Sequence, residues 1–373
     1  MAPDGEGRSR RWPDGTTLAL ALAAGVVGGG LVAAGVAVFG DGDDAPPSGS
    51  STCAVTSVAD RVLPSVVTLH VSGAQGSGTG SGVVVRAPLP GAGDAGASAD
   101  DGIYILTNEH VIAPGGSVGE VQVTYADGAT HQGKVLGADP LTDLAVVHDE
   151  QGTEDAPPVA VGDSAGLRVG QGVVALGAPL GLSSTVTSGI VSATDRYVRV
   201  PSSAGATHHL VGAIQTDASI NPGNSGGALV DCTGALVGIN SAGASPPGDQ
   251  GSVGLNFAIP STLFGPLGNE LIASGRVRHP TLGLQVAALS DEVARSNNVS
   301  PGLFVQTVVP GGPAQAAGIQ SGDIVTSVDG RTMRSPDDLT QLELGLDVGD
   351  SVDVTYERGG QSTTVQVTSV SAD

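Results

Sequence analysis

TDASINPGNSGGALV, residues 216–230, is the stretch on which the fold turns. Its centre, GNSGG at 223–227, sets Ser225 within a run of backbone donors. A serine becomes a nucleophile only beside a general base that a third group orients. Both partners lie upstream. TNEHV at 107–111 supplies His110, and DPLTDLAVV at 139–147 supplies Asp143, with Asp139 as its rival. GNSGG also satisfies the G-x-S-x-G pattern of α/β-hydrolases, but that fold needs the chain order serine, acid, histidine. Only His279 follows Ser225, in the arginine-flanked RVRHP at 276–280, which reads as a hinge. The order is therefore histidine, aspartate, serine. The remaining His70, His131, His148, His208 and His209 lack such context and read as surface or strand residues.

Around these motifs the chain alternates short Val- and Ile-rich runs with Gly, Asp and Pro turns. SVVTLHV at 65–71, GVVVRA at 82–87, YILTN at 104–108, GVVALG at 172–177 and LVGINS at 236–241 are examples. That rhythm is an all-β signature, and the 59 glycines suit many tight turns. Aromatic residues make up only 2%, so Val, Leu, Ile and Ala must fill the cores. Residues 86–102 read as a long hairpin loop. Leu263, Phe264, Leu267, Leu271 and Ile272 recur at helical spacing and predict one helix over 261–275. From about 281 a second pattern begins, with strands TLGLQV, GLFVQTVV and DIVTSVDG. Ser335, Pro336 and Asp338 then predict a capped helix bearing Leu339, Leu342 and Leu346.

The N-terminus and the charge place the chain. Residues 16–39 carry no charge and, at about 1.5 Å per residue, span roughly 36 Å as a helix, enough to cross a bilayer. Arg8, Arg10 and Arg11 precede the run, while Asp41, Asp43 and Asp44 follow it. By the positive-inside rule residues 1–15 stay cytoplasmic and everything after Phe39 lies outside, as a single-pass membrane protein; a cleaved signal peptide is the alternative. Residues 40–53 form a polar linker. Cys53 and Cys232 both fall on the outer side, where an even count favours one bridge over two free thiols. A net charge of −22 argues against a nucleic-acid partner. GSGTGSG at 76–82 lacks the lysine of a phosphate loop, and no His, Cys or acid cluster has metal-ligand spacing, so neither cofactor nor metal is expected.

The quoted motifs together resemble a known family. Residues 54–275, through TNEHV, TDLAVV and TDASINPGNSGGALV, resemble the trypsin-like protease domain of the HtrA (Deg) family. Residues 280–370, through TLGL and PGGPAQAAGIQSGDIVTSVDG, resemble the PDZ domain that follows it. The resemblance implies a mainly β chain: a chymotrypsin-like double β-barrel, then a PDZ domain, behind an N-terminal transmembrane helix. It implies an ATP-independent serine endopeptidase acting on unfolded or damaged extracytoplasmic proteins, part of a stress response. A homotrimer is the implied assembly, since larger cages need two PDZ domains. His110, Asp143 and Ser225 would be catalytic, with Gly223, Asn224 and Ser225 forming the oxyanion hole. Asn224 stands where cleavage-activated relatives carry aspartate, so activity without zymogen cleavage is expected. Ser219 falls at the base of the specificity pocket, and Ile239, Asn240 and Ser241 along its wall, which favours small aliphatic side chains at the cleavage position. Arg196 resembles the arginine that transmits activation. In the PDZ domain the N–H groups of Leu282, Gly283 and Leu284 would capture a peptide C-terminal carboxylate, beside the helix bearing Leu339 and Leu342. A chaperone or peptide-binding scaffold with a latent protease domain is the alternative function.

Overall fold

The structure is a computed structural model that describes residues 53–74, 76–91, 102–151, 156–178, 184–201, 207–243 and 252–372. The expected anchor at 16–39, the cytoplasmic tail and most of the 86–102 loop lie outside the described residues. Among those described, no helix is long and apolar enough to cross a membrane.

Twelve strands build two barrels. The first comprises β1 (Val66–Gly73), β2 (Gly76–Arg86), β3 (Ile103–Thr107), β4 (Glu120–Thr124), β5 (Thr130–Asp139) and β6 (Leu144–His148), closed in the order β1-β2-β3-β6-β5-β4. The second comprises β7 (Gly172–Gly177), β8 (Thr185–Pro201), β9 (Thr207–Thr216), β10 (Ala228–Asp231), β11 (Leu236–Gly243) and β12 (Asn256–Pro260), closed as β10-β11-β12-β9-β8-β7. Side chains on a strand point alternately to opposite faces, and the first barrel uses both. Val67, Leu69, Val84, Ile105 and Val147 fill its interior. Their neighbours Val66, Val83, Val85, Leu106 and Val146 face the other way and join Val174, Leu176, Ala228 and Ile239 in one apolar layer between the barrels. The run Val83–Val84–Val85 is apolar on both faces because both faces are buried.

Helices close the assembly. The predicted helix is α3 (Ser261–Ser274), after α1 (Val55–Val62) and the single turn α2 (Glu109–Ile112). Phe264 and Leu271 of α3 are fully buried, and Asn269 holds both the N–H and the C=O of Leu89 at 2.9 Å. Gly275, at φ 75°, ends the helix in the left-handed region that glycine adopts without steric cost. Helix α1 falls where the sequence suggested only strands from residue 54. Its Val58 and Val62 pack onto the layer between the barrels, giving a two-turn helix too short for periodicity to announce.

The Cys53–Cys232 bond pins α1 to the second barrel across 179 residues of sequence, so the two cysteines form the bridge that one oxidising compartment favours. Chain entropy credits a closed loop of this size with about 5 kcal/mol at most. Replacing both cysteines with serine is expected to lower stability by about 2–5 kcal/mol, read from urea midpoint and slope together because opening the loop also expands the unfolded chain.

The C-terminal domain contains a six-stranded sheet and a two-stranded one, built from β13 (Pro280–Thr281), β14 (Leu284–Ala288), β15 (Leu303–Val308), β16 (Ile324–Val328), β17 (Arg331–Thr332), β18 (Ser351–Arg358), β19 (Gln361–Thr368) and β20 (Val370–Ser371). Its main path runs β14-β15-β16-β18-β19, while β13 pairs with β20. Helices α4 (Asp291–Asn297), α5 (Pro313–Ala316) and α6 (Pro336–Glu343) cover it. The start of α6 follows its sequence signature: Pro336 takes the first turn, and the Asp338 carboxylate accepts the Ser335 N–H at 2.8 Å. Leu282, Leu303, Val325, Leu339, Leu342 and Tyr356 share this domain's core.

Candidate active site

The cleft forms where three short segments meet. His110 sits on α2, immediately after β3, and this turn is sewn to the residue that ends the 139–143 loop. The Asn108 side-chain amide and the Glu109 N–H both donate to the Asp143 carbonyl, at 2.9 and 3.1 Å. Asp143 has φ 63°, a left-handed conformation that aspartate tolerates better than most side chains, and so turns sharply into β6. Its carboxylate is fully buried and accepts from three groups: His110 Nδ1 at 2.9 and 3.0 Å, the His110 N–H at 3.1 Å and the Ser241 hydroxyl at 2.7 Å. The rival Asp139 has other work. It accepts from His279 Nε2 at 2.9 Å, from the Leu141 N–H and from the Thr142 hydroxyl, bracing the loop against the 276–280 hinge.

Ser225 reaches this pair because Ser81, from the first barrel, stitches the 223–227 turn in place. The Ser81 N–H donates to the Ser225 carbonyl at 2.9 Å, and its hydroxyl donates to the Gly223 carbonyl at 2.7 Å. Gly226 lies against this seam at φ 81°, where a Cβ would stand 2.1 Å from the Ser81 carbonyl oxygen. Only glycine fits there. Among the described residues, the N–H groups of Gly223 and Ser225 have no intramolecular hydrogen-bond partner. Asn224 is buried behind them. The Ser225 hydroxyl donates to the Ser241 carbonyl at 3.1 Å, and no Ser225–His110 hydrogen bond is present among the described residues. Ser241 therefore holds both ends of the constellation: its hydroxyl orients Asp143 and its carbonyl parks Ser225.

Charge in the site follows from burial and pairing. Burial opposes ionisation of Asp143, but the facing His110, with the Ser241 hydroxyl, holds its carboxyl below the ordinary aspartate value. Burial likewise disfavours the His110 cation, yet the charge of Asp143 and their hydrogen bond outweigh it, so the imidazole is raised above its ordinary value. Neighbouring Glu109 is raised by burial. His208 completes the surroundings. It is fully buried on β9, donates from Nδ1 to the Pro140 carbonyl at 2.6 Å, and places Nε2 3.9 Å from Asp143. The alternation of β9, with His208 and Leu210 on one buried face, was the signal available for it. The donor atoms of His110, Asp143 and His208 lie within 4.8 Å of one another, but an ion there would displace the His110–Asp143 hydrogen bond.

A cleft of about 440 Å³ opens beside these groups, lined by His110, Ile220, Asn221, Pro222, Ser225, Ser241 and Gly243. Of the residues expected along the pocket, Ser241 lines it. Ile239 instead lies fully buried between the barrels, and Asn240 is buried with its amide on the Leu176 and Ala228 carbonyls. The inward face of β11 is core here, and its edge beyond Asn240 is cleft. Half-buried Ser219 accepts from Thr187 through its carbonyl at 2.8 Å. Arg196 lies on β8 and donates to Gln215 across the strand pair at 3.2 Å. In the C-terminal domain, Leu282, Gly283 and Leu284 form the turn into β14, whereas the side chains of Leu339 and Leu342 point into the core.

Comparison with known proteins agrees with this geometry. Residues 80–239 match the trypsin-like peptidase domain family, and residues 280–368 match the PDZ domain family. The chain is 40% identical to the serine protease PepD of Mycobacterium tuberculosis (strain ATCC 25618 / H37Rv) over 352 residues, covering 91% of this chain and 70% of that protein. It is 35% identical to the periplasmic pH-dependent serine endoprotease DegQ of Escherichia coli (strain K12) over 336 residues, covering 83% of this chain and 68% of that protein. Across such curated relatives the chain spans from 50% to 70% of their length. The solved HtrA-type protease AlgW with tripeptide superposes with a TM-score of 0.63 at 32% identity, covering 86% of this chain and 97% of that one. With 40% identity over 70% of one such protease and 35% over 68% of another, and with a trypsin-like peptidase match followed by a PDZ match, the chain belongs to the HtrA family of trypsin-like serine proteases.

Proposed function

We propose that the chain cleaves internal peptide bonds of unfolded extracytoplasmic proteins, using Ser225 as nucleophile, His110 as general base and Asp143 as its orienting group. The observation that carries this reading is the buried Asp143 carboxylate on His110 Nδ1, in the cleft that also holds Ser225. Asp143 keeps the Nδ1–H tautomer, leaving Nε2 as the base. In a substrate complex the Ser225 hydroxyl leaves the Ser241 carbonyl, turns to Nε2 and attacks the scissile carbonyl. Imidazolium then protonates the leaving amine. The Gly223 and Ser225 amides, with Asn224 between them, are the donors for the oxyanion. No acid occurs among the described lining residues, which suits small uncharged side chains at the cleavage position and disfavours arginine and lysine.

The PDZ domain is the docking place for C-terminal peptides, whose binding modulates the protease. Residues 16–39 anchor the chain with both domains outside the membrane, and a homotrimer is the working assembly. The test is degradation of unfolded casein by the full-length chain and by its Ser225→Ala variant. Undiminished turnover in the variant would remove Ser225 as the nucleophile, whereas no turnover in either protein, even with C-terminal peptides added, would reject the enzyme reading and favour the scaffold.

The pH profile is a further expected outcome. Only neutral His110 accepts the serine proton, and Asp143 raises the value at which that imidazole protonates. Activity is therefore present at high pH and lost as pH falls through a midpoint above the ordinary histidine value of about 6.5. Measuring kcat/KM from pH 5 to 9 locates it. A midpoint near that of a carboxylate would remove His110 as the base.

A further inference from the structure

The turn that leads into β14 is not an empty anion site. The Leu282 N–H donates to Glu343 Oε1 at 2.7 Å, and the Thr281 hydroxyl donates to the same oxygen at 3.1 Å. The Gly283 N–H in turn donates to Thr281 Oγ1 at 3.0 Å. A carboxylate of the chain itself thus takes the Leu282 N–H, one of the three N–H groups that the PDZ reading assigns to the carboxylate of a peptide. We propose that Glu343 is an internal occupant of this loop, which a peptide ending in a free carboxylate must displace or neutralise, so that binding takes up a proton. The proposal rests on the reading of residues 281–284 as a carboxylate-capturing turn.

Glu343 reaches the loop for a definite reason. It is the last residue of α6, four residues after Leu339, and Leu339, Leu342 and Leu282 share one core. Side chains four apart lie on the same helix face, so packing α6 on the core brings the 343 side chain to the turn that begins at Leu282. Electrostatics does not favour a negative charge here, because the end of a helix carries the negative pole of its dipole. Nor does a cation offset it. Among the described residues no basic side chain forms an ion pair with Glu343. Arg278 is paired with Glu270, and His279 with Asp139. β13 and β14 contribute no titratable side chain, and Asp337 and Asp338 lie at the opposite end of α6. The loop N–H and the Thr281 hydroxyl are what hold the charge, while burial pushes the Glu343 carboxyl above the ordinary glutamate value.

Two carboxylates sharing one cluster of donors cannot both stay ionised without strong repulsion. Binding a peptide carboxylate therefore favours protonated Glu343. Linkage sets the limit: uptake of one proton tightens binding by up to about tenfold for each pH unit lowered. The consequence is a PDZ domain that is self-occupied at neutral and alkaline pH and opens to C-terminal peptides as the medium acidifies.

Fluorescence anisotropy on the full-length chain carrying Ser225→Ala tests this. The probes are fluorescein-labelled decapeptides ending in leucine, valine or phenylalanine, each with a free carboxylate or a C-terminal amide. Glu343→Gln keeps an acceptor for the Leu282 N–H without the charge, and Glu343→Leu removes the occupant altogether. Expected is a Kd for free-carboxylate probes that falls several-fold per unit between pH 8 and pH 6, with amide probes flat. In both variants binding at pH 8 should be at least tenfold tighter and nearly independent of pH. Free-carboxylate binding that is equal and flat in all three proteins overturns the proposal while leaving the PDZ reading intact. Absence of binding to any of the three, with unchanged thermal midpoints, overturns both.

Discussion

Ser225→Ala lowers kcat on an unfolded substrate by about 10⁶-fold, to a residual set by binding and oxyanion donors alone. The size follows from the arrangement: Ser225 brings its hydroxyl into the cleft that holds His110, beside the uncommitted Gly223 amide, and without it His110 loses the proton it is placed to accept. Folding should hardly change. The half-buried hydroxyl makes one hydrogen bond, to Ser241 at 3.1 Å, whose loss costs about 1 kcal/mol or less. The measurement is product formation by mass spectrometry over long incubations, beside the thermal midpoint. A midpoint held within a few degrees, with only a tenfold loss of rate, would mean that another group is the nucleophile.

Asp143→Asn is expected to lower kcat by about 10⁴-fold for a different reason. Three donors converge on the Asp143 carboxylate, from the His110 ring, the His110 backbone and Ser241. An amide offers one acceptor oxygen and an NH₂ group in their place. If the NH₂ faces Nδ1, the ring adopts the opposite tautomer and Nε2 carries a proton towards Ser225, so it is no longer a base. The loss of acceptors in a fully buried site also costs about 1–3 kcal/mol of stability. Asp139→Asn is the control. Because Asp139 holds His279 and the 139–142 loop rather than His110, its effect on kcat should be far smaller. Equal losses in the two variants would return Asp139 to contention as the orienting acid.

The role of each segment was unevenly legible. Strand positions could be read because burial on two faces writes near-continuous Val and Ile runs, and α3 and α6 because apolar spacing and capping residues mark them. Helix α1 was harder to see: Val55, Val58 and Val62 do recur at helical i, i+3, i+7 spacing, but over only eight residues, two turns of pattern inside a strand-rich stretch. Along the expected pocket wall, Ile239 and Asn240 are buried in β11, and Ser241 is where the strand reaches the cleft, a boundary that residue type alone does not mark. Leu339 and Leu342 were legible as an apolar stripe, but a stripe does not say whether it meets a peptide or its own sheet. The sheet claims it, which leaves residue 343 at the loop.

By itself the sequence determined the fold class and the chain order of His110, Asp143 and Ser225, because these depend on local pattern and residue chemistry. Tertiary structure alone decided that Ser241 grips both Asp143 and Ser225, that Asp139 is drawn to His279, that His208 is buried behind the site, and that Glu343 reaches the PDZ turn. Each of these is a contact between segments distant along the chain. Its partners are selected by how the barrels and helices close, and no local pattern of residues encodes that closure.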